Sequence, residues 1–595
     1  MVGAMRRRSF LALALAAAAP AGAALAQQRE QPPAPKPAAL PPVGPGDRIA
    51  GAPFATRSTV WGVQSAAATA HPMATMIAMD VLRSGGSAVD AAIAANAALG
   101  FLEPTGCGIG GDLFAMLWDP KQRKVMGING SGRSPRGLSL ATVRSRARNG
   151  KIPSHGAISV SVPGAVDGWW SLHQRYGKLP WSAVLEPAIA LAERGAPVPQ
   201  TIAYYLERNL KNFAQPERRI EETENARRTY APNGRTAREG EVFRNPDLAR
   251  TYRLLAEGGR DAFYNGPIAD VIEGYFRRIG GWMTRADLAA HRSEWTEPLS
   301  TAYRGVEVYG LAPNSQGLST LQMLNILERF DLKGMGFQSA ASIHHQAEAK
   351  RLAFEDRARY FADPAFYRAP LERLNSKAYA AEKARLIRPD RVMPLAPLPP
   401  APSRGDTTYF TVADRDGMMV SLIQSNYRGM GSGLVPDGLG FMLQDRGELF
   451  ALTDGHPNLY APGKRPFQTI IPGFATRGGQ PWLSFGVMGG DMQPQGQAQI
   501  IVNMVDYGLG LQEAGDAPRW HHEGSTEPTG EPQDGVGLLR LERGVQAATR
   551  AGLERLGWKL GDTDGGFGGY QAIERGAETY GAASESRKDG LALAW

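Results

Sequence analysis

Hydrophobic and polar positions along this chain follow two different rhythms. Between residues 165 and 395 the pattern is mostly helical, and it predicts helices over Trp181 to Arg194, Asn245 to Glu257, Pro267 to Arg278, Gly317 to Phe330 and Ser342 to Tyr360. From residue 407 onward, short β-branched and aromatic runs predict strands near 408–413, 418–424, 439–443, 468–473 and 482–487, with one helix, Gln495 to Tyr507, among them. Residues 60–118 read as two short helices and a strand. Ser84-Gly85-Gly86 stops the first helix, and Ser87 with Asp90 forms a capping box for the second. Between the two regimes lies the proline-heavy run Pro394 to Pro402, which can continue neither a helix nor a central strand. It marks the best domain boundary, and no repeat of fixed period crosses it.

The stretch Thr407 to Ser425 reads as a hairpin with apolar residues on both faces: Tyr409, Ala413 and Ile423 on one, Phe410, Val412, Val420 and Leu422 on the other. Such strands are buried on both sides, as in a sheet sandwiched between helices. Its turn, Asp414-Arg415-Asp416-Gly417, allows two registers. A three-residue loop over 415–417, with Gly417 left-handed, pairs position 407 with 425 and sets two hydroxyls side by side. A two-residue Asp416-Gly417 loop pairs 407 with 426 and puts Ser425 out of reach.

Composition narrows the class. A chain of 595 residues, 43% hydrophobic and 21% charged, is globular and too long for one simple core. The net charge of +8 comes from scattered arginines with no aromatic-interleaved basic stripe, which argues against nucleic acid as a partner. Arg6-Arg7-Arg8, an apolar run from Phe10 to Ala19 and the small residues Ala24-Leu25-Ala26 read as a cleavable export signal over 1–26, of ordinary or twin-arginine type. The apolar run is too short to span a membrane. Residues 27–59 read as a tether, and the expected location is periplasmic or secreted. Cys107 is the only cysteine, so no intrachain disulfide is available.

Candidate chemistry centres on Thr407, at the junction Gly405-Asp406-Thr407-Thr408. A cut before it would give this threonine a free α-amino group beside its own hydroxyl, a nucleophile and its base in one residue. Glycines at a strand-to-helix turn can aim backbone N–H groups at a developing oxyanion, and Met488-Gly489-Gly490-Asp491 occupies such a turn; a tight turn needing only small residues reads the same way. Gly106 to Gly111 carries the spacing G-x-G-x-x-G, but a helix precedes it and a strand follows, the wrong order for a dinucleotide site, so its glycines are assigned to close backbone packing. The adjacent pairs His344-His345 and His521-His522 lack ligand spacing and read as structural hydrogen-bonders, and Trp169-Trp170 as core.

Taken in order, Gly85 to Ala92, Val162-Pro163-Gly164, Phe263-Tyr264-Asn265-Gly266, Tyr303-Arg304-Gly305, Ala347-Glu348-Ala349, Thr407-Thr408-Tyr409, Gly431-Ser432-Gly433, Pro462 to Pro466, Gly489-Gly490, Ala517 to His522 and Tyr580 to Ser584 resemble successive motifs of the γ-glutamyltranspeptidase family. The resemblance implies an α+β, N-terminal-nucleophile hydrolase fold, an αββα four-layer sandwich with two stacked, mostly antiparallel sheets between helical layers. It implies self-cleavage between Asp406 and Thr407 into a large subunit of 60–406 and a small catalytic subunit of 407–595. Thr407 would then attack a γ-glutamyl amide, Ser425 would orient it, and Gly489 and Gly490 would stabilise the oxyanion. No cofactor or metal is implied.

The substrate pocket departs from the family pattern. Tyr427 stands where an asparagine is usual, Gln444-Asp445-Arg446 replaces Asn-Asn-Gln, Leu449 replaces an aspartate, and Gln468-Thr469 replaces paired serines. Arg133 lies two positions from the place of the arginine that takes the α-carboxylate, and the loop from Arg446 to Lys464 is shorter than usual, so no lid over the site is expected. Loss of a carboxylate for the substrate α-ammonium costs a charge-assisted bond of about 1.5–3 kcal/mol. Arg446 adds a cation that favours a carboxylate, so a glutaryl amide fits these residues at least as well as a γ-glutamyl one, and an open site favours hydrolysis over transfer; the chain resembles the hydrolase and acylase-like branch. The leading expectation from the resemblance is hydrolysis of glutathione or related γ-glutamyl amides, with transfer to an amine acceptor secondary. A glutaryl-amide acylase is the rival enzyme, and an exported binding protein that lost processing is the non-enzymatic alternative.

Overall fold

Two seven-stranded antiparallel sheets lie face to face in the computed structural model, which describes residues 57–394, 406–530, 535–563 and 565–595. The first sheet orders the strands Leu591–Ala594, Ala66–Thr69, Asp406–Ala413, Met419–Tyr427, Asp112–Asp119, Lys124–Gly130 and Glu294–Thr296. The second orders Val60–Gly62, Tyr580–Ser584, Tyr570–Arg575, Gln480–Val487, Gly473–Arg477, Val306–Gly310 and Leu299–Tyr303.

Strand alternation divides the core into three layers. Phe410, Val412, Val420, Leu422, Leu113 and Leu117 of the first sheet pack outward beneath the helices Ala88–Leu102 and Ala165–Tyr176, and Trp181–Arg194 and Pro246–Tyr264 pack over these. Val308, Leu483, Phe485 and Ala572 of the second sheet pack outward beneath Gly317–Leu327 and Met492–Val505, with Ala340–Tyr360 packed on Gly317–Leu327. Tyr409, Ile423, Phe114, Met116, Phe474 and Ile573 fill the space between the sheets. The arrangement is the four-layer αββα sandwich implied by the motifs, and the hairpin is buried on both faces.

Several local expectations hold. Ser87 and Asp90 form the capping box of the Ala88–Leu102 helix, and Trp181–Arg194 has the expected ends. Others are corrected. No strand forms at 439–443; Leu443 exchanges backbone hydrogen bonds with Ser432 and Leu434, and Gly440 sits at φ +72°. The 468–473 stretch is an irregular crossing, with Gln468 bridged to Ser315, and the strand begins only at Gly473. The helix placed at Gln495 begins at Met492, capped at Asp491. The helix placed at Asn245 to Glu257 runs on to Tyr264 across a kink at Gly259. The "helical" half also supplies the strands Glu294–Thr296, Leu299–Tyr303 and Val306–Gly310. The signal segment, residues 27–56 of the tether and the boundary at 395–405 lie outside the described residues. Among the described residues no helix is long and apolar enough to cross a membrane.

Candidate active site

The hairpin adopts the three-residue loop. Ala413 pairs with Met419, the Asp414 carboxylate accepts from the backbone N–H of Asp416 and Met418, and Gly417 turns at φ +88°. The ladder then runs back without a slip to Thr408 opposite Gln424, so Thr407 falls beside Ser425. A bulge follows at once, with Asp406 opposite Tyr427, and it breaks the regular pairing on the upstream side of Thr407. The Thr407 hydroxyl donates to Ser425 Oγ at 3.2 Å, and Ser425 Oγ also accepts from the Tyr427 N–H at 2.8 Å. Thr408 points the opposite way, toward the helices, and bonds Glu103 at 2.8 Å.

The next strand continues the row. Ser425 pairs with Asp112, so Thr407, Ser425 and Asp112 stand on three adjacent strands at one end of the inter-sheet space. Asp112 is wholly buried. One oxygen accepts from Gly132 N–H (3.0 Å) and Gln444 Nε2 (2.8 Å), the other from Gln468 Nε2 (2.7 Å). Burial pushes its carboxyl up to about 6, against the pull of Arg446 and these hydrogen bonds. The sequence reading stopped one residue short of Asp112; its only signal is a charge at the head of a strand buried throughout.

The glycine turn arrives from the facing sheet. The Thr411 and Ser484 hydroxyls are 2.5 Å apart, and a Cβ on Gly486 would come within 2.3 Å of the Tyr409 ring. Two residues back on one strand match two forward on the other, a progression that carries Met488 level with Thr407 and sets Gly489-Gly490 at the same end of the sandwich. Both glycines have positive φ, +108° and +60°, so the turn itself requires them. The Gly106–Gly111 run packs against the other side of the hairpin end: a Cβ on Gly111 would lie 2.4 Å from Ser425 O, and one on Gly110 would lie 2.0 Å from Met442 O. That is the close approach the sequence assigned to it.

The divergent pocket residues converge here. Arg446 is fully buried, lies over the Tyr427 ring at 4.7 Å and donates through Nη1 to Thr469 Oγ1 at 2.8 Å. Among the described residues its Nε and Nη2 have no hydrogen-bond partner, nor do Asp445 Oδ2, Gln444 Oε1 and Gln468 Oε1. Burial lowers the Arg446 guanidinium to about 10, which leaves it charged at neutral pH. Burial, together with the nearby Glu448, pushes Asp445 well above the usual carboxylate range. Tyr427 takes a left-handed backbone, φ +76°. Arg133 stands apart from this group, held by Asp363 at 3.0 Å and Glu294 at 3.4 Å. Three of the four paired histidines are hydrogen-bonded inside the fold, His344 to Arg388 O and Trp558, His345 to Ala341 O, and His522 to Val536 O and Lys350, whereas the buried His521 Nδ1 has no hydrogen-bond partner among the described residues and lies 3.9 Å from Glu523.

A small row of hydroxyls and a carboxylate, a glycine turn above it and a buried cation with open valences form a site able to bind an anionic acyl group and attack its carbonyl. Comparison with known proteins identifies the family. The chain is 37% identical to the glutathione hydrolase-like YwrD proenzyme of Bacillus subtilis over 463 residues, covering 78% of this chain and 86% of that protein. It is 32% identical to the glutathione hydrolase proenzyme of Escherichia coli over 549 residues, 89% and 91% of the two chains. The crystal structure of a cephalosporin acylase from Bacillus halodurans superposes with a TM-score of 0.83 at 40% identity, covering 91% of this chain and 97% of that one. The gamma-glutamyltranspeptidase family model matches residues 74–595, and the chain belongs to that family of N-terminal-nucleophile hydrolases.

Proposed function

We propose that this protein is a self-processing amidohydrolase whose nucleophile is Thr407, and that it cleaves the γ-amide of glutathione or related γ-glutamyl compounds. The observation that carries this reading is the 3.2 Å hydrogen bond from the Thr407 hydroxyl to Ser425, at the head of a strand that faces the glycine turn. In the precursor, Thr407 Oγ adds to the Asp406 carbonyl and the peptide C–N bond breaks as an ester forms, which frees the Thr407 α-amino group; water then hydrolyses the ester to release the Thr407 hydroxyl and the Asp406 carboxylate. That amine titrates near 7.7–8.0 in model compounds, so it can take the Oγ proton at neutral pH. Thr407 Oγ then attacks the substrate amide. Gly489 and Gly490 N–H groups hold the oxyanion, and the amine leaves with the proton that the α-ammonium returns. Water resolves the acyl ester, with transfer to an amine acceptor the slower route.

For the acyl end, Arg446 Nε and Nη2 take the substrate carboxylate and Asp445 Oδ2 the α-ammonium, while Gln444, Gln468, Thr469 and Tyr427 frame them. Arg133, already bonded to two carboxylates, is left with a structural part. A second reading, a glutaryl-amide acylase, is favoured by Leu449. It stands where the family has its ammonium-binding aspartate, and here it is buried in the apolar core.

Two measurements decide. A denaturing gel of the wild type should give two bands and of Thr407→Ala one; a single band from both removes the nucleophile. Initial rates on γ-glutamyl and glutaryl anilides should favour the γ-glutamyl compound, and a glutaryl preference replaces the first reading with the second.

A further inference from the structure

The glycine turn is tied to the rest of the site by one side chain. Gln316, fully buried at the start of the Gly317–Leu327 helix, donates from Nε2 to Gly490 O at 3.0 Å and to Thr469 O at 2.6 Å. An amide could flip and lose both bonds, but its Oε1 is held by Arg357 Nη1 at 2.7 Å. The same Nη1 bonds Asp491 Oδ1 at 2.5 Å, on the residue immediately after the turn, and Nη2 bonds Glu527 at 2.8 Å. Arg357 is itself fully buried, with its guanidinium 3.7 Å from the centre of the Phe354 ring.

We infer that Gln316 and Arg357 are positioning residues for the oxyanion turn: together they fix the carbonyl of Gly490 and the carboxylate of Asp491, and so the direction in which the Gly489 and Gly490 N–H groups point. Gly490 has left-handed φ and no side chain, and within its own segment its carbonyl is held only by the Gln493 N–H at 3.2 Å, beside Gly489 O held by the Met492 N–H at 3.1 Å. Further restraint comes from outside the turn. It comes from two helices that precede Thr407 in the chain, Gly317–Leu327 and Ala340–Tyr360, reaching across to the segment that follows it. The same amide holds Thr469, whose hydroxyl receives Arg446, so a single carboxamide sets the spacing between the oxyanion turn and the cation proposed to grip the acyl end. The inference rests on the proposed reading of the site as an acyl-transfer centre.

Gln316→Glu keeps the acceptor for Arg357 and removes the donor to Gly490 and Thr469; Arg357→Lys keeps the charge for Asp491 and Glu527 and removes the fork. Removing a direct oxyanion donor costs about 100- to 1000-fold in kcat; loosening one through its support should cost about 10- to 100-fold. The expected result for two-band, mature Gln316→Glu enzyme is a kcat lower by that factor, a KM within about threefold of wild type, and a smaller kcat loss in Arg357→Lys. A boronate analogue of the acyl group, whose tetrahedral adduct carries the oxyanion, should lose affinity by the same factor as kcat/KM, while the free acid product binds as before. Equal weakening of analogue and product, unchanged kcat, or failure of both variants to mature would overturn the inference. A wild type inactive on every acyl amide would instead bring down the reading of the site, and the variant-to-wild-type ratio keeps the two failures distinct.

Discussion

On the proposed reading, the charge of Arg446 selects which acyl groups enter. Its Nε and Nη2 are buried without hydrogen-bond partners among the described residues, and a charge-assisted bond there is worth about 1.5–3 kcal/mol, or roughly one to two decades in affinity. Arg446→Gln, which restores the amide usual in the family, should raise KM for carboxylate-ended anilides by about 10- to 100-fold and leave KM for neutral acyl anilides nearly unchanged; steady-state kinetics on the two classes measures this. Asp112 gives a pH signature. Its folded carboxyl, pushed up by burial to about 6, lies above the ordinary value of 3.8, so between pH 4 and 6 the folded chain keeps a proton that the unfolded chain releases. Stability therefore falls as pH rises through that window, by an amount on the order of 2–3 kcal/mol, and is flat in this contribution above it. Urea unfolding of Thr407→Ala, with and without Asp112→Asn, at pH 4.5 and 6.5 should show the fall only where Asp112 is present. Thr407, Ser425, Gly489 and Gly490 could be singled out in the sequence as candidates, since each sits at a turn or strand end, with Ser425 depending on which loop forms. Asp112, Gln316 and Arg357 were not, because each reaches the site across a long chain separation.

The Thr407 hairpin is the element that converts sequence spacing into chemistry. Its loop is held by Asp414, whose Oδ1 accepts from Asp416 and Met418 N–H and whose Oδ2 accepts from Ala88 N–H at the start of the neighbouring helix. Asp414→Ala leaves three buried or half-buried donors without this partner and should destabilise the fold by about 2–4 kcal/mol. It should also slow self-cleavage, because the three-residue loop is what sets Thr407 beside Ser425. Thermal melts and a time course of the two bands would report both effects. Turn chemistry narrowed the loop to two registers, and the pairing of Ala413 with Met419 selected the three-residue one. The strand expected at 439–443 did not form, although the segment is apolar: its ridge of Phe441, Met442 and Leu443 packs under the helices as an irregular crossing, with Gly440 fitted against the N-cap of the Pro246–Tyr264 helix at Asn245. Apolar runs specify burial, and only pairing partners specify a strand.

At the scale of the whole molecule, both sheets mix strands from either side of the Asp406–Thr407 bond. Asp406–Ala413 lies between Ala66–Thr69 and Met419–Tyr427, and Gly473–Arg477 pairs with Val306–Gly310. Cutting the chain at that bond removes no ladder downstream of Thr407, so the two products should stay together as one body. Size-exclusion chromatography of mature protein should give one peak containing both bands, and the bands should separate only under denaturing conditions; separation in plain buffer would contradict the interleaved topology.

The sequence by itself determined the family and the sandwich of helices and sheets, because these depend on local periodicity and the order of motifs; it pointed to Thr407 as the candidate nucleophile and left two hairpin registers, between which the fold chose. Tertiary structure alone decided that Arg446, Asp445 and Gln468 meet in one buried cluster, that Arg133 is already bonded to Asp363 and Glu294, and that the Gly489-Gly490 turn is tied to Gln316 and Arg357. Those relations join residues tens to hundreds of positions apart, and no local preference of the chain encodes which buried donor meets which buried acceptor until the layers close.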